Sequence, residues 1–370
     1  MSMIERPSIF QSNKGRPRYR ADFMSRMIPW NSLIPALIRH RTGAATAIAC
    51  LLFAATMSKP CFADPGDPLA RAQAFLQTLD DTSRAQASAP ISAPDRVQWS
   101  YLPEPRTGLR LGDLDLDQRS AWSLFMTEAL GRDGVARIDR IRATEPIEHR
   151  GGGVHTGPDE FRIRFFGLGT VENPPAWSWR IEGHHLSIHQ TFIGEEVVCI
   201  TPLFIGSVVR EDVNGEPLGV EDRRAAAILD GLRGDSRRTA MDPRGLPGDL
   251  RTAMKAPGRW NLEGGLPLSK ADAEARNHAN AIVDDLLRLH PEAVAKPLRD
   301  AWRRTPSHDI TFAWCGDTDR DGPHQWRLVS PVLVVEFSHS GRNVQHGHLV
   351  LRTPDGEFPS RALGAWRDTP

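Results

Sequence analysis

An α+β fold, with a largely antiparallel β-sheet and helices packed on one side in a single domain, is what this sequence predicts. Three observations carry the prediction. Strand-type alternation comes in two clusters, one from Phe161 to Ile205 and one from Ile310 to Arg352. Helical spacing fills the stretches before and between them. No Pro/Ser-rich linker cuts the chain, and strands grouped apart from helices favour an antiparallel sheet. No fixed-period repeat is visible.

The first residues read as a leader. Residues 1–41 are basic, an apolar run of about 14 residues follows from Ala44 to Met57, and Cys61-Phe62-Ala63 offers small residues before a cut after Ala63. The run is short of the roughly 20 residues that span a bilayer. The alternative is an N-terminal anchor that stays uncut. Met24 or Met27 would serve as the start of a shorter leader. Removing residues 1–63 takes nine of 46 basic and two of 46 acidic residues, leaving 37 against 44, a charge of −7. An acidic chain without a basic stripe argues against nucleic acid or anionic lipid as partner. The location expected is periplasmic or secreted, with no membrane contact after removal of the leader. Cys199 and Cys315 would remain, as one disulfide or as two buried thiols.

Residues 64–98 read as an N-terminal helix and loop, and residues 99–370 as the α+β body. Asp67–Ala85 has helical spacing through Leu69, Ala72, Leu76 and Leu79. Leu116–Leu130 sets Trp122, Phe125, Met126 and Leu130 on one face, and Asp133–Thr144 forms its partner. Gly219–Leu232 opens on acids suited to a helix start. Ser269–Leu289 has Ser269 as a cap and apolar residues at steps of three and four, and Pro291–Arg304 follows. Phe161–Phe165 and Trp177–Ile181 alternate with period two. His185–Ile193 and Glu196–Ile205 pair about Gly194-Glu195. Ile310–Cys315, Gln325–Val329, Val332–Phe337 and His346–Arg352 complete the strands, and Gly151–Gly153 is a glycine turn.

Chemistry concentrates in three places. Glu182-Gly183-His184-His185 marks a slip in strand period, because apolar positions are odd before Gly183 and even after it. A β-bulge that re-aims His184 or His185 accounts for the slip. The bland alternative is two histidines on a wet sheet face. His346-Gly347-His348 is the second place, where residues two apart on a strand share a face and can hold one ion. The third is His324 with Arg327 and Glu336, a carboxylate inside an apolar strand that needs a partner. Arg327 is the local candidate for a salt bridge; a ligand-orienting or general-base role for Glu336 is the other reading. Histidines without thiolates suit zinc, copper or iron. No GxSxG, HExxH, phosphate-binding glycine loop or dinucleotide fingerprint is present.

These same segments carry a resemblance. Leu109-Arg110-Leu111-Gly112, Trp179-Arg180-Ile181-Glu182-Gly183-His184-His185-Leu186-Ser187 and Thr201-Pro202-Leu203-Phe204-Ile205-Gly206 come first. Phe312-Ala313-Trp314-Cys315-Gly316, Gly322-Pro323-His324-Gln325-Trp326-Arg327, Val335-Glu336 and His346-Gly347-His348 follow. In this order they resemble the domain-of-unknown-function 3500 family (DUF3500) of exported proteins, from about Trp99 onward. The family's usual Asn-His-Ile-His reads Gln345-His346-Gly347-His348 here, and Asp355-Gly356-Glu357-Phe358 departs from its Asp-Phe-Gly-like element. The resemblance implies recurrent motif positions at His184, His185, His324, Glu336, His346 and His348, and no activity.

The function expected is a metal-dependent hydrolase or oxidase acting on a small-molecule or extracellular substrate. His184, His185, His346 and His348 are the ligand candidates, and Glu182 and Glu336 the proton-handling ones. Arg180, Arg327 and His324 are the substrate-binding candidates. A non-catalytic metal- or ligand-binding protein is the alternative, and a structural domain with merely hydrogen-bonded histidines is a third reading.

Overall fold

The computed structural model describes residues 66–150, 154–169, 174–256 and 259–358. The leader, its cut site, Cys50, Cys61 and the Gly151–Gly153 turn lie outside the described residues. Asp67 caps α1 (Pro68–Gln77) through the Leu69 N–H, and Asp80 caps α2 (Asp81–Ala87) through the Ser83 N–H. The single helix expected over Asp67–Ala85 is therefore two, because a second Asp cap starts the chain afresh at Asp80. Strands β1 (Ser88–Ala89) and β2 (Leu109–Arg110) precede α3 (Leu116–Ala143), which opens on a capping box of Asp115 and Gln118. Gly131, at φ 70° and ψ 170°, kinks α3 where the sequence predicts two helices. A small hairpin, β3 (Glu148–Arg150) with β4 (Val154–Thr156), follows.

Strands β5 (Arg162–Phe166), β6 (Ala176–Gly183) and β7 (Leu186–Ile193) come next. The strand expected over Glu196–Ile205 is two, β8 (Glu196–Cys199) and β9 (Leu203–Ser207), separated at Pro202, which has no ladder N–H to give. Then come α4 (Gly219–Gly231), α5 (Gly234–Ala240), which the sequence did not announce, and β10 (Leu266–Pro267). Helix α6 (Ala273–Leu287) takes Asp272 as its cap instead of Ser269, which sits in a 3₁₀ turn. Helix α7 (Glu292–Arg304) precedes β11 (Thr311–Gly316), β12 (His324–Val329), β13 (Val334–His339) and β14 (Gly347–Arg352). Cys199 and Cys315 are free thiols. No helix among the described residues is long and apolar enough to cross a membrane.

Twelve strands form one sheet with the path β1-β5-β6-β7-β9-β14-β13-β12-β11-β10, β2 also pairing β5 and β8 also pairing β7, antiparallel except for β1 beside β5. One face meets helices. Trp179 packs edge-on against Trp122 and Phe125 of α3, and Gln190 reaches the Ala129 carbonyl. Truncating aromatic anchors of this kind costs about 3–5 kcal/mol each. Farther along the same face, His324 and Trp326 bond Asp222 of α4. The opposite face is polar yet buried. It carries Arg180, Glu182, Ser187, Gln325, Arg327, Glu336 and His348, all covered by the irregular stretches 90–107, 242–256 and 259–263.

The sheet is also two-fold repetitive. β5-β6-β7-β9 and β11-β12-β13-β14 are matching antiparallel sets that meet where Leu203 faces Leu351. Before each set stands the same device. Gly108 (φ +118°) and Gly265 (φ +111°) bring the chain against a strand carbonyl, where a Cβ would lie 2.7 Å from Ile163 O or 2.8 Å from Phe312 O. Leu111 N donates to Phe161 O as Leu268 N does to Ile310 O, and Asp115 or Asp272 then caps a helix. The buried Ala72, Phe75, Leu76, Leu79 and Ala87 match Ala225, Ile228, Leu229, Leu232 and Ala240. The sequence hides this repeat because the halves share burial and capping, with few identities.

Candidate metal centre

The β6–β7 connection decides the position of the first two histidines. Gly183 pairs with Leu186, so His184-His185 is a two-residue turn, and the expected bulge is absent. The period slips because the chain reverses. His185 sits at φ +62°, a left-handed conformation uncommon outside glycine. Two bonds hold it there, His185 N to Tyr101 O at 3.3 Å and Gly206 N to His185 O at 2.8 Å. Strained turns of this kind cluster at functional sites. Gly206 has a second role. A Cβ there would lie 2.7 Å from His185 Cδ2 and 3.1 Å from His348 Cδ2, so only glycine lets both rings close in.

Nε2 of His346 stands against Nε2 of both His185 and His348. His185 Nε2 lies 2.6 Å from His346 Nε2, which lies 3.0 Å from His348 Nε2. The ligand atoms of His184, His185 and His346 also lie within 4.8 Å of one another. Carboxylates fix the far sides of three rings. Glu145, just past α3, accepts from His184 Nδ1 at 2.8 Å and from His185 Nδ1. Asp249 accepts from His348 Nδ1 at 2.7 Å and from the Tyr101 hydroxyl at 3.1 Å. Burial works to raise both carboxyls, but the histidine hydrogen bonds outweigh it and hold both below the ordinary range. His185 is fully buried; burial pushes it down to about 4 against the pull of Glu145. Burial, then the neighbouring His348 and His185, push His346 down to about 3.

A proton inventory shows what such a cluster can do. Where Nδ1–H, given to a carboxylate, is the one proton on the His185 and His348 rings, both turn Nε2 lone pairs toward His346. His346 has one Nε2 proton at most and can satisfy only one of them. Inward lone pairs with outward carboxylates make the arrangement in which proteins hold a cation on histidine.

The remaining expected site residues lie elsewhere and have other partners. Glu182 accepts from Ser100 N and Ser187 Oγ, both at 3.1 Å, and pairs with Arg106; burial pushes its carboxyl up. Arg180 donates to the Asp95 and Gln98 carbonyls. Glu336, wholly buried and pushed up by burial, accepts from Arg251 N, Thr252 N, Thr252 Oγ1 and Gln325 Nε2. Arg327 faces Glu336 across the strands, yet its ion pair is with Asp242 at 2.7 Å, so the expected local bridge is replaced by one to a covering loop. His324 bonds Asp222 at 2.8 Å on the helix face and stacks on Trp314. Glu357 pairs with Arg352, and Phe358 packs against the Trp99–Tyr101–Phe204 cluster.

Sequence reasoning missed Glu145, Asp249, Tyr101 and Gly206. The acids stand alone in the sequence, and no period marks a residue just past a helix end or in an irregular loop.

The fold and this cluster define an α+β protein with one twelve-stranded sheet and a histidine centre where β9 and β14 meet the β6–β7 turn. The family described as Protein of unknown function (DUF3500) matches residues 67–360, and the chain belongs to it. No curated protein and no solved structure matches the chain.

Proposed function

We propose that the chain is an exported metal-dependent enzyme, a hydrolase or an oxidase, acting on a small-molecule or extracellular substrate. Its ion is zinc, copper or iron, held by His185 and His346 with His348 or His184. The observation that supports this most is that His185 Nε2 and His348 Nε2, on rings backed by carboxylates, both lie against His346 Nε2. Imidazole suits these metals, and three histidines leave a coordination position for water or substrate. Such an ion polarises a carbonyl or supplies hydroxide near neutral pH. The protein's share is to fix the rings. Glu145 and Asp249 set the Nδ1–H tautomers, Tyr101 holds Asp249, and Gly206 lets the rings meet. Glu182, Glu336, Arg180 and Arg327 act in this reading as fasteners of the covering loops, with no direct part in proton transfer or anion binding.

One observation favours a non-catalytic binder. His184 shares Glu145 with His185 and has a ligand atom within 4.8 Å of those of His185 and His346, and a fourth imidazole would close the ion's coordination. Elemental analysis of mature, tag-free protein, beside a His346→Ala/His348→Ala variant, tests both readings. Near-stoichiometric zinc, copper or iron that the variant loses supports the centre; no metal in either, even after reconstitution, refutes it. X-ray absorption then counts nitrogens: three with an oxygen for the enzyme, four nitrogens for the binder. Cell fractionation with N-terminal sequencing of the mature chain tests export.

A further inference from the structure

A second meeting of histidine ring nitrogens lies on the β3–β4 hairpin, apart from the centre described above. His149 and His155 stand directly opposite each other in the antiparallel ladder. Residues so placed hold their Cβ atoms about 4.5–5.5 Å apart, so backbone register brings the two rings together. Their Nδ1 atoms lie 2.8 Å apart, and the rings meet edge to face with centroids 5.0 Å apart. Both residues are exposed.

Two Nδ1 atoms at this distance cannot both carry a proton. Either one ring donates to the other, or both lone pairs serve one ion. A hydrogen bond in contact with water is a weak reason for the pairing, since even a typical one contributes only about 0.5–1.5 kcal/mol. The spacing itself says which ion fits. A histidine nitrogen binds a metal at about 2.0–2.1 Å, so two of them stand about 2.9 Å apart at a right angle and about 3.3 Å apart at the tetrahedral angle. The 2.8 Å found here matches the right angle. That is the cis edge of the tetragonal geometry preferred by copper(II) and nickel(II), and copper(II) binds nitrogen the more tightly of the two. Zinc's tetrahedron needs the wider spacing.

The hairpin has a use for such an ion. It is a two-stranded sheet of its own, paired with no strand of the large one. A lone hairpin is marginal in water. At its base Thr156 Oγ1 donates to the Pro146 carbonyl at 2.8 Å, next to Glu145, which holds the His184 and His185 rings. An ion bridging the two strands would fasten the hairpin beyond that base. We propose that His149 and His155 form a surface copper(II) site, with water in the remaining coordination positions, that staples the β3–β4 hairpin. It shares no ligand with the histidine centre and does not depend on the reading given for it.

The test uses the full mature chain carrying His346→Ala/His348→Ala, which silences the centre, and copper(II) ion alone as the probe. His149→Ala and His155→Ala are made singly in that background, at exposed positions that leave the fold intact. Chelator competition gives the affinity, electron paramagnetic resonance the nitrogens on copper, and hydrogen exchange the state of the hairpin. One copper(II) with two imidazole nitrogens is expected, bound more tightly than zinc. Either substitution should weaken it by about a hundredfold, because the second imidazole of a pair binds as an intramolecular ligand. Copper should also slow exchange of the β3 and β4 amides. In the chain with its centre intact, the same substitutions should remove one equivalent of copper and no more. The proposal is overturned if both variants bind copper as their parent does, if zinc binds this pair as tightly as copper, or if copper leaves hairpin exchange unchanged.

Discussion

Glu145→Gln separates a metal centre from a hydrogen-bonded histidine cluster. The carboxylate takes two Nδ1–H donors at once, from His184 and His185. A glutamine of the same shape has one oxygen and an NH₂ group, so it can accept from one ring and must donate to the other. One ring is then driven to the Nε2–H tautomer. Where that ring is His185, its Nε2 no longer offers a lone pair to the point it shares with His346. Outer partners of this kind are worth about 10–100-fold in metal affinity, or about 1.4–2.8 kcal/mol. Competition with a chromophoric chelator, on parent and Glu145→Gln protein, measures zinc affinity directly. Circular dichroism and urea unfolding on the apo-proteins check that the fold is kept. Zinc affinity unchanged within about twofold, in a folded variant, would refute the assignment of Glu145 as the group that orients the ligands.

Further expectations concern neighbouring residues. Gly206→Ala should lower metal affinity by about tenfold or more, the scale of an outer-sphere defect, because its Cβ meets the His185 and His348 rings; the same chelator competition reads it. Glu336→Ala should leave metal affinity nearly unchanged but cost about 3–5 kcal/mol in urea unfolding, because four donors around a buried carboxylate lose their acceptor. Apo-protein stability should fall with acid. His185, with an ordinary value of 6.5, is held to about 4 in the fold, and buried His290 to about 3. Groups depressed on folding contribute stability that is fully present above 6.5 and lost as pH falls through 4 and 3. Each is worth up to about 3–5 kcal/mol. Urea midpoints that stay flat from pH 7 to roughly 4 would contradict the burial of these rings.

How much of this was legible in the sequence depends on how local the signal is. Trp177, Trp179 and Ile181 announce β6 because alternation is written within a few residues. The slip at Gly183 was legible too, but period alone does not separate a bulge from a two-residue turn. His346 and His348 were visible as a pair because strand geometry puts i and i+2 together. Glu145 and Asp249 were not, since their partners lie 39 and 99 positions away. Glu336 drew attention for a sound reason, the cost of burying a carboxylate, but its partners are backbone and side-chain groups of Arg251, Thr252 and Gln325. Nothing in the order of residues specifies a loop that crosses a sheet face.

The two-fold repetition has a consequence for the histidine centre. Counted from the facing pair Leu203 and Leu351, His348 and His346 stand three and five residues before Leu351; Ile200 and Val198 stand at the same places before Leu203. The His184-His185 turn of β6–β7 has its counterpart in Pro331-Val332 of β12–β13, closed by the Ser330–Leu333 backbone bond. One end of the central strand pair thus carries four imidazoles, and its symmetry mate carries a proline and three aliphatic side chains. The chain contains its own blank, the same turn-and-strand scaffold without the chemistry. Histidines grafted at Val198, Ile200 and Val332 would ask whether backbone placement alone makes the centre, or whether the carboxylates behind the rings complete it.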